Sequence, residues 1–550
     1  MNSSDEASKF VILAILDGWG IATEGPGNAI SLAKTVNMDK FIVSYPHTTL
    51  EASGQAVGLP RGEDGNTETG HINLGAGRIV YQDLERINMS VADGSFFKND
   101  VLLGAFEHVK KYNSKLHFIG LVGAGGVHSN LDHLFALINL SSKLKFANTF
   151  VHVFTDGRDS PPTAAKTYIK KLEEVLEREN TGKIASIMGR YWAMDRDQRW
   201  ERTEKAYLAL TKGEGKLVSS VEEAIEKSYS EGKTDEFIEP SLIRSNGKPV
   251  ALISDNDAVV FFNFRIDRPR QLTKAFMMQD FYKAQISFDE LTQDHIHVEK
   301  TVQATHPFKR SETIKNLYFV TMTDYGKVVN ESGAKAAFPP EIIDSPISSV
   351  IASSEMKQLK ITESEKERFV TFYFNGLREQ PFIKEDRIIV NSPKVPTYDQ
   401  KPEMSALELT EKLLKKLSLG IYKFVVVNFP NPDMVGHTGN IGAAVEACEL
   451  VDECIGKIAN FALAYQGTLV ITADHGNVEE MINSATGEID TEHSTNPVPF
   501  IVINSAFLGK SQTLPSGILA DVAPTILSLL GIPIPTSMTG RNLLDNLSRR

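Results

Sequence analysis

The sequence predicts an α/β architecture on largely parallel sheet, divided into more than one domain, and three observations carry that expectation. Short β-branched and apolar runs alternate with helix-like stretches along the chain. Those runs are continuously apolar rather than alternating, as strands are when helices cover both faces of a parallel sheet. A chain of 550 residues with 41% hydrophobic content is also too long for one core, so two to four domains are expected.

In chain order the strand-like runs are FVILAIL from Phe10, KLHFIGLV from Lys115, FVHVF from Phe150, AVVFFNF from Ala258, FVTFYF from Phe369, YKFVVVNF from Tyr422 and TLVITA from Thr468. Many end in polar residues: Asp17, Asp156, Arg265, Asn431 and Asp474. Ligands gather at the carboxyl ends of strands in open α/β sheets, so chemistry is expected at these endings. Any one of them alone is better explained as a turn or a helix cap. The charged stretch from Ser219 to Lys233 reads as a solvated helix face.

The formal net charge of -12 argues against holding nucleic acid or anionic membrane by bulk attraction, since both need a positive field. An acidic protein that handles anions must concentrate its positive charge locally. The two cysteines, Cys448 and Cys454, would face different sides of one helix, too far apart for a disulfide, and suggest a reducing compartment. The opening MNSSDEAS has no basic region, and the apolar run after it breaks at Asp17, so no signal peptide is expected. No apolar run approaches the roughly 18 residues of a membrane helix. The ending Leu-Ser-Arg-Arg matches no lipidation or receptor-read signal, and a cytoplasmic protein is expected.

Four acid and imidazole clusters stand at inferred strand ends. Asp433 and His437, in NPDMVGH, come within reach of one ion if the segment turns helically. Asp474 and His475 come directly off TLVITA, His493 precedes the run VPFIVI, and Asp17 ends the first strand. Mixed histidine and carboxylate donors suit first-row divalent ions, and two such ions can flank a transferring phosphoryl group. A lone histidine is more often a satisfied core residue; four clusters at strand ends are much harder to dismiss.

A nucleophile for phosphoryl transfer is offered by Thr67, in the Gly-flanked segment DGNTETGHINLGAGR, where a helix N-terminus would add partial positive charge toward a phosphate. By composition alone this is a Gly-rich turn, neither a Walker motif nor a dinucleotide fingerprint. Arginines are concentrated in Gly157-Arg158-Asp159, from Gly189-Arg190 to Arg196-Asp197, and from Asn263 through Arg265 to Arg268. Arginine suits planar, bidentate contacts to phosphate and carboxylate. For Arg196 a surface pair with a neighbouring aspartate is as good an account, whereas Arg265, after an apolar strand, is harder to read as a surface residue.

Together these segments resemble the cofactor-independent phosphoglycerate mutases of the alkaline phosphatase superfamily. The likeness runs from Asp17 to Arg541 in order as well as content: ILDGWG, GNTETGHINLGAGR, GGVHS, DGRD, GRYWAMDRD, FNFRIDR, SPKVPTYDQKPEMSA, NFPNPDMVGHTG, TADHGN and EHSTNPVPF. The resemblance implies an alkaline-phosphatase-like parallel-sheet domain from residues 1–81 and 340–550, carrying metals and nucleophile, with a second, transferase-like α/β domain, residues 82–339, inserted to supply most glycerate contacts. By motif match, Asp433, His437 and His493 would hold one metal, and Asp17, Thr67, Asp474 and His475 the other. His128, Arg158, Asp159, Arg190, Arg196, Arg265 and Arg268 match substrate-binding positions, and Lys366 matches the family's active-site lysine.

The resemblance further implies interconversion of 3-phosphoglycerate and 2-phosphoglycerate in glycolysis and gluconeogenesis, with phosphoglycerate as the small-molecule partner. It implies a monomer with two divalent ions, manganese foremost and magnesium or cobalt compatible, and no 2,3-bisphosphoglycerate. Thr67 stands where the family usually has serine, and its methyl narrows the rotamers. Ala124 stands where relatives commonly carry an acid, which bears on local hydrogen bonding. In the implied reaction Thr67 attacks phosphorus and becomes phosphothreonine while Arg265 and Arg268 offset the charge. Asp159, kept ionised by Arg158, moves protons, and Lys366 assists the leaving group.

Rival readings remain at this point. A phosphomonoesterase or phosphopentomutase would share the metal core without needing Arg158, Arg190 and Arg265 in a large insert. A sulfatase would need a Cys-x-Pro-x-Arg context that neither cysteine has. A non-enzymatic relative would be credible had any of Asp433, His437, His493, Asp474 or His475 been lost.

Overall fold

The computed structural model describes residues 9–281, 307–310, 313–483, 485–545 and 547. The opening MNSSDEAS and the terminal Ser-Arg-Arg lie outside the described residues. The chain divides into two compact units, one made of Met1–Gln82 with Ile342–Arg550 and the other of Asp83–Glu341.

With strands numbered along the whole chain, the first unit holds β1 (Val11–Leu16), β2 (His47–Glu51), β12 (Gln358–Glu363), β13 (Glu385–Val390), β14 (Phe424–Phe429), β15 (Thr468–Thr472), β16 (Val498–Ile503) and β17 (Gly517–Ile518). They form one sheet in the order β13-β12-β14-β1-β15-β16-β2-β17. Every residue of β1, β14 and β15 is buried whichever way its side chain points, so both faces of the sheet centre are covered. Their apolar runs are therefore continuous for the reason the sequence suggested.

β1 runs parallel to both β14 and β15, so Asp17, the segment after Phe429 and the segment after Thr472 leave the sheet at one edge. β16 departs from the parallel expectation, pairing antiparallel with β15 so that Thr472 faces Phe500. Because β16 runs back along β15, it starts at the edge where β15 ends, which brings His493 to the edge where Asp474 sits.

The second unit's strands are β3 (Leu116–Val122), β4 (Thr149–Thr155), β5 (Lys183–Gly189), β6 (Lys216–Val218), β7 (Ser241–Ser245), β8 (Lys248–Pro249), β9 (Ala258–Phe261), β10 (Tyr318–Thr323) and β11 (Lys335–Phe338). Their order is β11-β10-β9-β3-β4-β5-β7-β6, with β8 paired to β7, and β7 is antiparallel to β5. Alternate residues enter two cores. Leu116, Phe118, Ala258 and Val260 join one, with helices Asp100–Tyr112, Leu131–Lys143 and Ala165–Arg178, while Ile119, Leu121, Val259 and Phe261 join the other, with helices Trp200–Lys212 and Pro269–Met277.

Two local expectations are corrected. FVTFYF is not a strand: Phe369–Tyr373 forms a wide helical turn, with Phe369 and Tyr373 rings stacked at 5.6 Å. Six apolar residues fit either geometry, and here packing of one turn on the next decides. The stretch from Ser219 to Lys233 is not wholly solvated, since helix Val221–Ser230 buries Val221, Ala224, Ile225 and Ser228 on one face.

Candidate functional site

In the first unit the strand-end segments are stitched together by their backbones. The Asp17 amide donates to the Phe429 carbonyl at 3.1 Å, and the Asp433 amide donates to the Asp17 carbonyl at 3.1 Å. Gly18 permits this approach: its φ is +75°, and a Cβ there would lie 2.9 Å from the Asp433 backbone. Asp433 lies in the short helix Asn431–Gly436, which carries His437 on its C-terminal side.

Thr67 is the first residue of helix Thr67–Ala76, whose N-cap Asn66 accepts from the Thr69 amide at 2.9 Å. Its Oγ1 lies 3.0 Å from His475 Nε2 and 2.9 Å from Lys366 Nζ. Lys366, on the turn after β12, also donates to Asp17 Oδ1 at 2.8 Å and Asp433 Oδ2 at 2.7 Å. One buried ammonium thus touches the hydroxyl and two of the clustered carboxylates.

Electrostatics follow from that crowding. Burial alone would lower the Lys366 ammonium, but Asp17, Asp433 and Asp474 hold it above the ordinary lysine range. Burial pushes Asp433 up, yet Lys366 and the hydrogen bonds of His437 and His493 take it well below the usual carboxylate range. Asp474 is lowered to about 2 against its own burial, chiefly by His475 and His71. His475, which burial alone would lower, is raised to about 9 by Asp474, Asp17 and Asp433.

His437 Nε2 and His493 Nε2 lie 3.3 and 3.2 Å from Asp433 Oδ1 and 3.1 Å from each other. Their Nδ1 atoms face backbone carbonyls, of Thr491 at 2.7 Å and Gly65 at 2.9 Å. His475 repeats the pattern, with Nδ1 3.2 Å from the Gly476 carbonyl. A carbonyl only accepts, so Nδ1 carries a proton in each ring and Nε2 is the nitrogen left facing inward, where a divalent ion would bind it.

The second unit gathers a separate cluster of ion pairs. The Asp156 carboxylate at the end of β4 organises the DGRD turn by accepting from the amides of Arg158 at 3.2 Å and Asp159 at 3.1 Å. Arg190, buried, donates from Nη1 to Asp156 Oδ1 at 2.7 Å and also to Asp159 Oδ2. His128 Nε2 is 3.5 Å from Asp159 Oδ2, and its other nitrogen is 3.8 Å from Asp267 Oδ1. Arg196 pairs with Asp267 at 2.6 Å and Arg265 lies 3.3 Å from the same carboxylate.

Arg268 donates to the Met194 carbonyl at 3.3 Å, and burial with the charges of Arg190 and Arg196 lowers it to about 10. A cation disfavoured by neighbouring cations is a place where an anion is welcome. Burial and Arg190 lower His128 to about 4, so the ring is neutral at pH 7.

Three sequence expectations change here. Asp159 is not paired with Arg158, whose side chain is 57% exposed and lies 3.8 Å from Glu236; Arg190 is its partner. Arg265, read as unlike a surface residue, is half exposed, because β9 ends at Phe261 and the chain has left the sheet. Ala124 leaves no gap in the hydrogen bonding: its amide donates to Ser160 Oγ at 2.9 Å, and Ser160 donates to Asp156 at 2.8 Å.

Comparison with known proteins decides the family. The family model "BPG-independent PGAM N-terminus" matches residues 87–327. A 2,3-bisphosphoglycerate-independent phosphoglycerate mutase of Moorella thermoacetica is 48% identical over 97% of this chain and 98% of that protein. The chain belongs to the 2,3-bisphosphoglycerate-independent phosphoglycerate mutase family. A member from Clostridium novyi is 49% identical over 98% of this chain and 99% of its own. Among solved structures, phosphoglycerate mutase of Leishmania mexicana, crystallised at low cobalt concentration, aligns over 98% of both chains with TM-score 0.58 and 29% identity.

The donors fit divalent ions. Asp433, His475 and His493 form one group whose ligand atoms lie within 4.8 Å of one another, and Asp17, Asp474 and His475 form another. His475 therefore stands between the two sets that motif matching kept apart. Asp474 Oδ2, fully buried, has no well-aligned hydrogen-bond donor among the described residues; His71 Nδ1 lies 3.2 Å and His475 Nε2 3.5 Å from it. A buried carboxylate oxygen in that position suits a cation.

Four residues of the site escaped the sequence reading. His71 lies one turn after Thr67, so i,i+4 spacing on the nucleophile's own helix was an available signal. Asn428 donates to Asp17 Oδ2 at 2.8 Å, and Asn477 donates to Asp433 Oδ1 at 2.9 Å. Glu479 lies behind them, and nothing in its spacing marks it.

Proposed function

We propose that the chain interconverts 3-phosphoglycerate and 2-phosphoglycerate through a phosphothreonine on Thr67, with divalent metal ions and without 2,3-bisphosphoglycerate. The observation that carries this reading is the Thr67 hydroxyl, 2.9 Å from a buried ammonium and 3.0 Å from His475, among carboxylates and imidazoles turned inward. Asp433, His437 and His493 would hold one ion, and Asp17, Asp474 and His475, with Thr67, the other. Mixed nitrogen and oxygen donors suit manganese, with magnesium or cobalt compatible. Ions bound there supply charge that favours the deprotonated hydroxyl and offsets the phosphoryl oxygens.

The protein's own groups do the rest. Deprotonated Thr67 Oγ1 forms a bond to phosphorus as the bond from phosphorus to one glycerate oxygen breaks, and the turned glycerate's other oxygen then takes the phosphoryl group as the bond to Thr67 Oγ1 breaks. The Lys366 ammonium, already donating to Oγ1, stabilises its negative charge on attack and again when it leaves. Asp159, ionised beside Arg190, gives and takes the proton of the glycerate hydroxyls, with neutral His128 next to it. Arg158, Arg190, Arg196, Arg265 and Arg268 are assigned to the substrate's anionic groups, which makes the unit of residues 83–341 the substrate unit and the other the metal unit.

A reversible reaction of this kind belongs to glycolysis and gluconeogenesis, and we assign the protein to the cytoplasm as a monomer. Both cysteines are free and buried, in keeping with a reducing compartment. Among the described residues no helix is long and apolar enough to cross a membrane.

The test follows 3-phosphoglycerate in chelator-stripped protein without 2,3-bisphosphoglycerate, before and after manganese, for the parent and Thr67→Ala. Isomerisation restored by metal in the parent and absent from the variant supports the reading. Phosphate release without isomerisation would make the protein a phosphatase, and an active variant would displace Thr67 as nucleophile.

A further inference from the structure

Glu479 is buried, 2% exposed, and its carboxylate accepts four hydrogen bonds, all from neutral donors. Oε2 accepts from the amides of Gly20 at 3.0 Å and Asn477 at 2.8 Å. Oε1 accepts from the Ser494 hydroxyl and from Asn496 Nδ2 at 3.1 Å. The donors lie on three separate segments: the one after Asp17, the one after Asp474 and His475, and the one around His493. A fourth is reached through Asn477, whose amide group donates to Asp433 Oδ1 at 2.9 Å.

The room for this carboxylate is made by two glycines. A Cβ on Gly20 would lie 2.2 Å from the Glu479 carboxyl carbon, and one on Gly476 would lie 2.3 Å from Oε1. Among the described residues no cation pairs with this carboxylate, which is satisfied by backbone amides, a hydroxyl and a side-chain amide. Its place is defined by the loops it joins.

We infer that Glu479 is a positioning residue for both groups of metal donors, fixing the Asp17, His475 and His493 segments directly and Asp433 through Asn477. Outer partners of metal ligands act in this way, and losing one commonly weakens metal binding about 10- to 100-fold. The inference rests on the reading that the cluster holds two divalent ions.

Three consequences separate positioning from mere stability. Glu479→Met removes all four acceptors, so both ions bind about 10-fold or more weakly. Glu479→Gln loses less: the bond from Asn496 Nδ2 goes, but the Ser494 hydroxyl can turn to accept from the new amide while the oxygen end keeps Gly20 and Asn477. Asn477→Ala cuts only the arm to Asp433, so one ion weakens and the other stays within about threefold.

The experiment titrates manganese into chelator-stripped full-length protein, reading free metal by electron paramagnetic resonance, with melting temperature measured alongside. Two sites in the parent, both weakened in Glu479→Met, less so in Glu479→Gln, and one weakened in Asn477→Ala, is the expected result. Parent affinities in the Glu479 variants, with or without a lowered melting temperature, overturn the inference. If Glu479→Met does not fold, Glu479→Gln and Asn477→Ala still decide, and equal loss of both ions in Asn477→Ala counts against the proposal. A parent that binds no divalent ion refutes instead the reading on which the inference rests.

Discussion

Lys366→Met should separate the two jobs of the buried ammonium. Nζ is within 3 Å of Asp17, Asp433 and Thr67, and methionine fills the volume without charge or donor. Removing one partner of a buried ion pair costs about 3–5 kcal/mol, and here the carboxylates left behind share a single lost counter-charge, so the same range applies to the whole substitution. Chelator-stripped variant should therefore unfold in urea with about 3–5 kcal/mol less stability than the parent at pH 7.5, and added manganese should recover part of the loss.

The loss has a definite pH window. Lys366 is raised, so its contribution is complete below the ordinary lysine value of 10.5 and is lost only as pH rises through its higher folded value. Asp433 and Asp474 are lowered, so theirs is complete above 3.8 and lost as pH falls, for Asp474 through about 2. The Lys366, Asp433 and Asp474 contributions are then flat from pH 6 to 9, and a slope in that window comes from His475, whose contribution is complete below 6.5 and lost as pH rises through about 9. With metal restored, loss of the donor at Thr67 Oγ1 should slow turnover about 100- to 1,000-fold. A variant as stable as the parent in chelator, or one with parental turnover, would refute the role drawn for Lys366.

Thr67→Ser keeps the oxygen that Lys366 and His475 contact and adds rotamers, so turnover should stay within about 10-fold of the parent in steady-state assays. Arg190→Met strands Asp156 and Asp159 and should cost about 3–5 kcal/mol in urea unfolding, with a raised KM for phosphoglycerate. Both of its bonds leave Nη1, so Arg190→Lys should lose less than Arg190→Met in the same two measurements. His128 and His133 are each lowered to about 4 by burial, for His128 with Arg190 adding. Their folded forms take up protons only below that value while the unfolded chain does so from 6.5, so stability falls as pH drops from 6.5 to 4, by about 3 kcal/mol per ring. Fluorescence of Trp192 and Trp200 during urea unfolding at graded pH reads that unit, and a pH-independent midpoint would contradict the buried neutral rings.

Much of the fold could be read from the chain because burial on both sheet faces leaves a direct trace: β1, β14 and β15 are unbroken apolar runs. Strand direction leaves none, which is why antiparallel β16 was unforeseen. Short apolar runs are also ambiguous between strand and helix, and Phe369–Tyr373 took the other form. At the site, acids and imidazoles at strand ends were visible as types, whereas their grouping depends on sheet order, which places His475 with both sets. Adjacency misled for Asp159, since Arg158 is beside it in sequence and Arg190 beside it in space. Glu479 was invisible because two of its four donors are backbone amides, which every residue type but proline carries.

The central place of β1 sets an order of events on the ribosome. This strand is made well before its partners: it pairs with β14 on one side and β15 on the other, and Asp17 must await Asn428, 411 positions later, for its hydrogen bond. At ordinary elongation rates that is a delay of roughly 20–80 s. Residues 83–341 emerge contiguously in the interval and hold two cores of their own. The nascent chain therefore carries the unpaired strand VILAIL while its insert has everything it needs to collapse. A holdase that grips short apolar segments would find this one exposed throughout the interval, and slower translation of the insert would lengthen the exposure further.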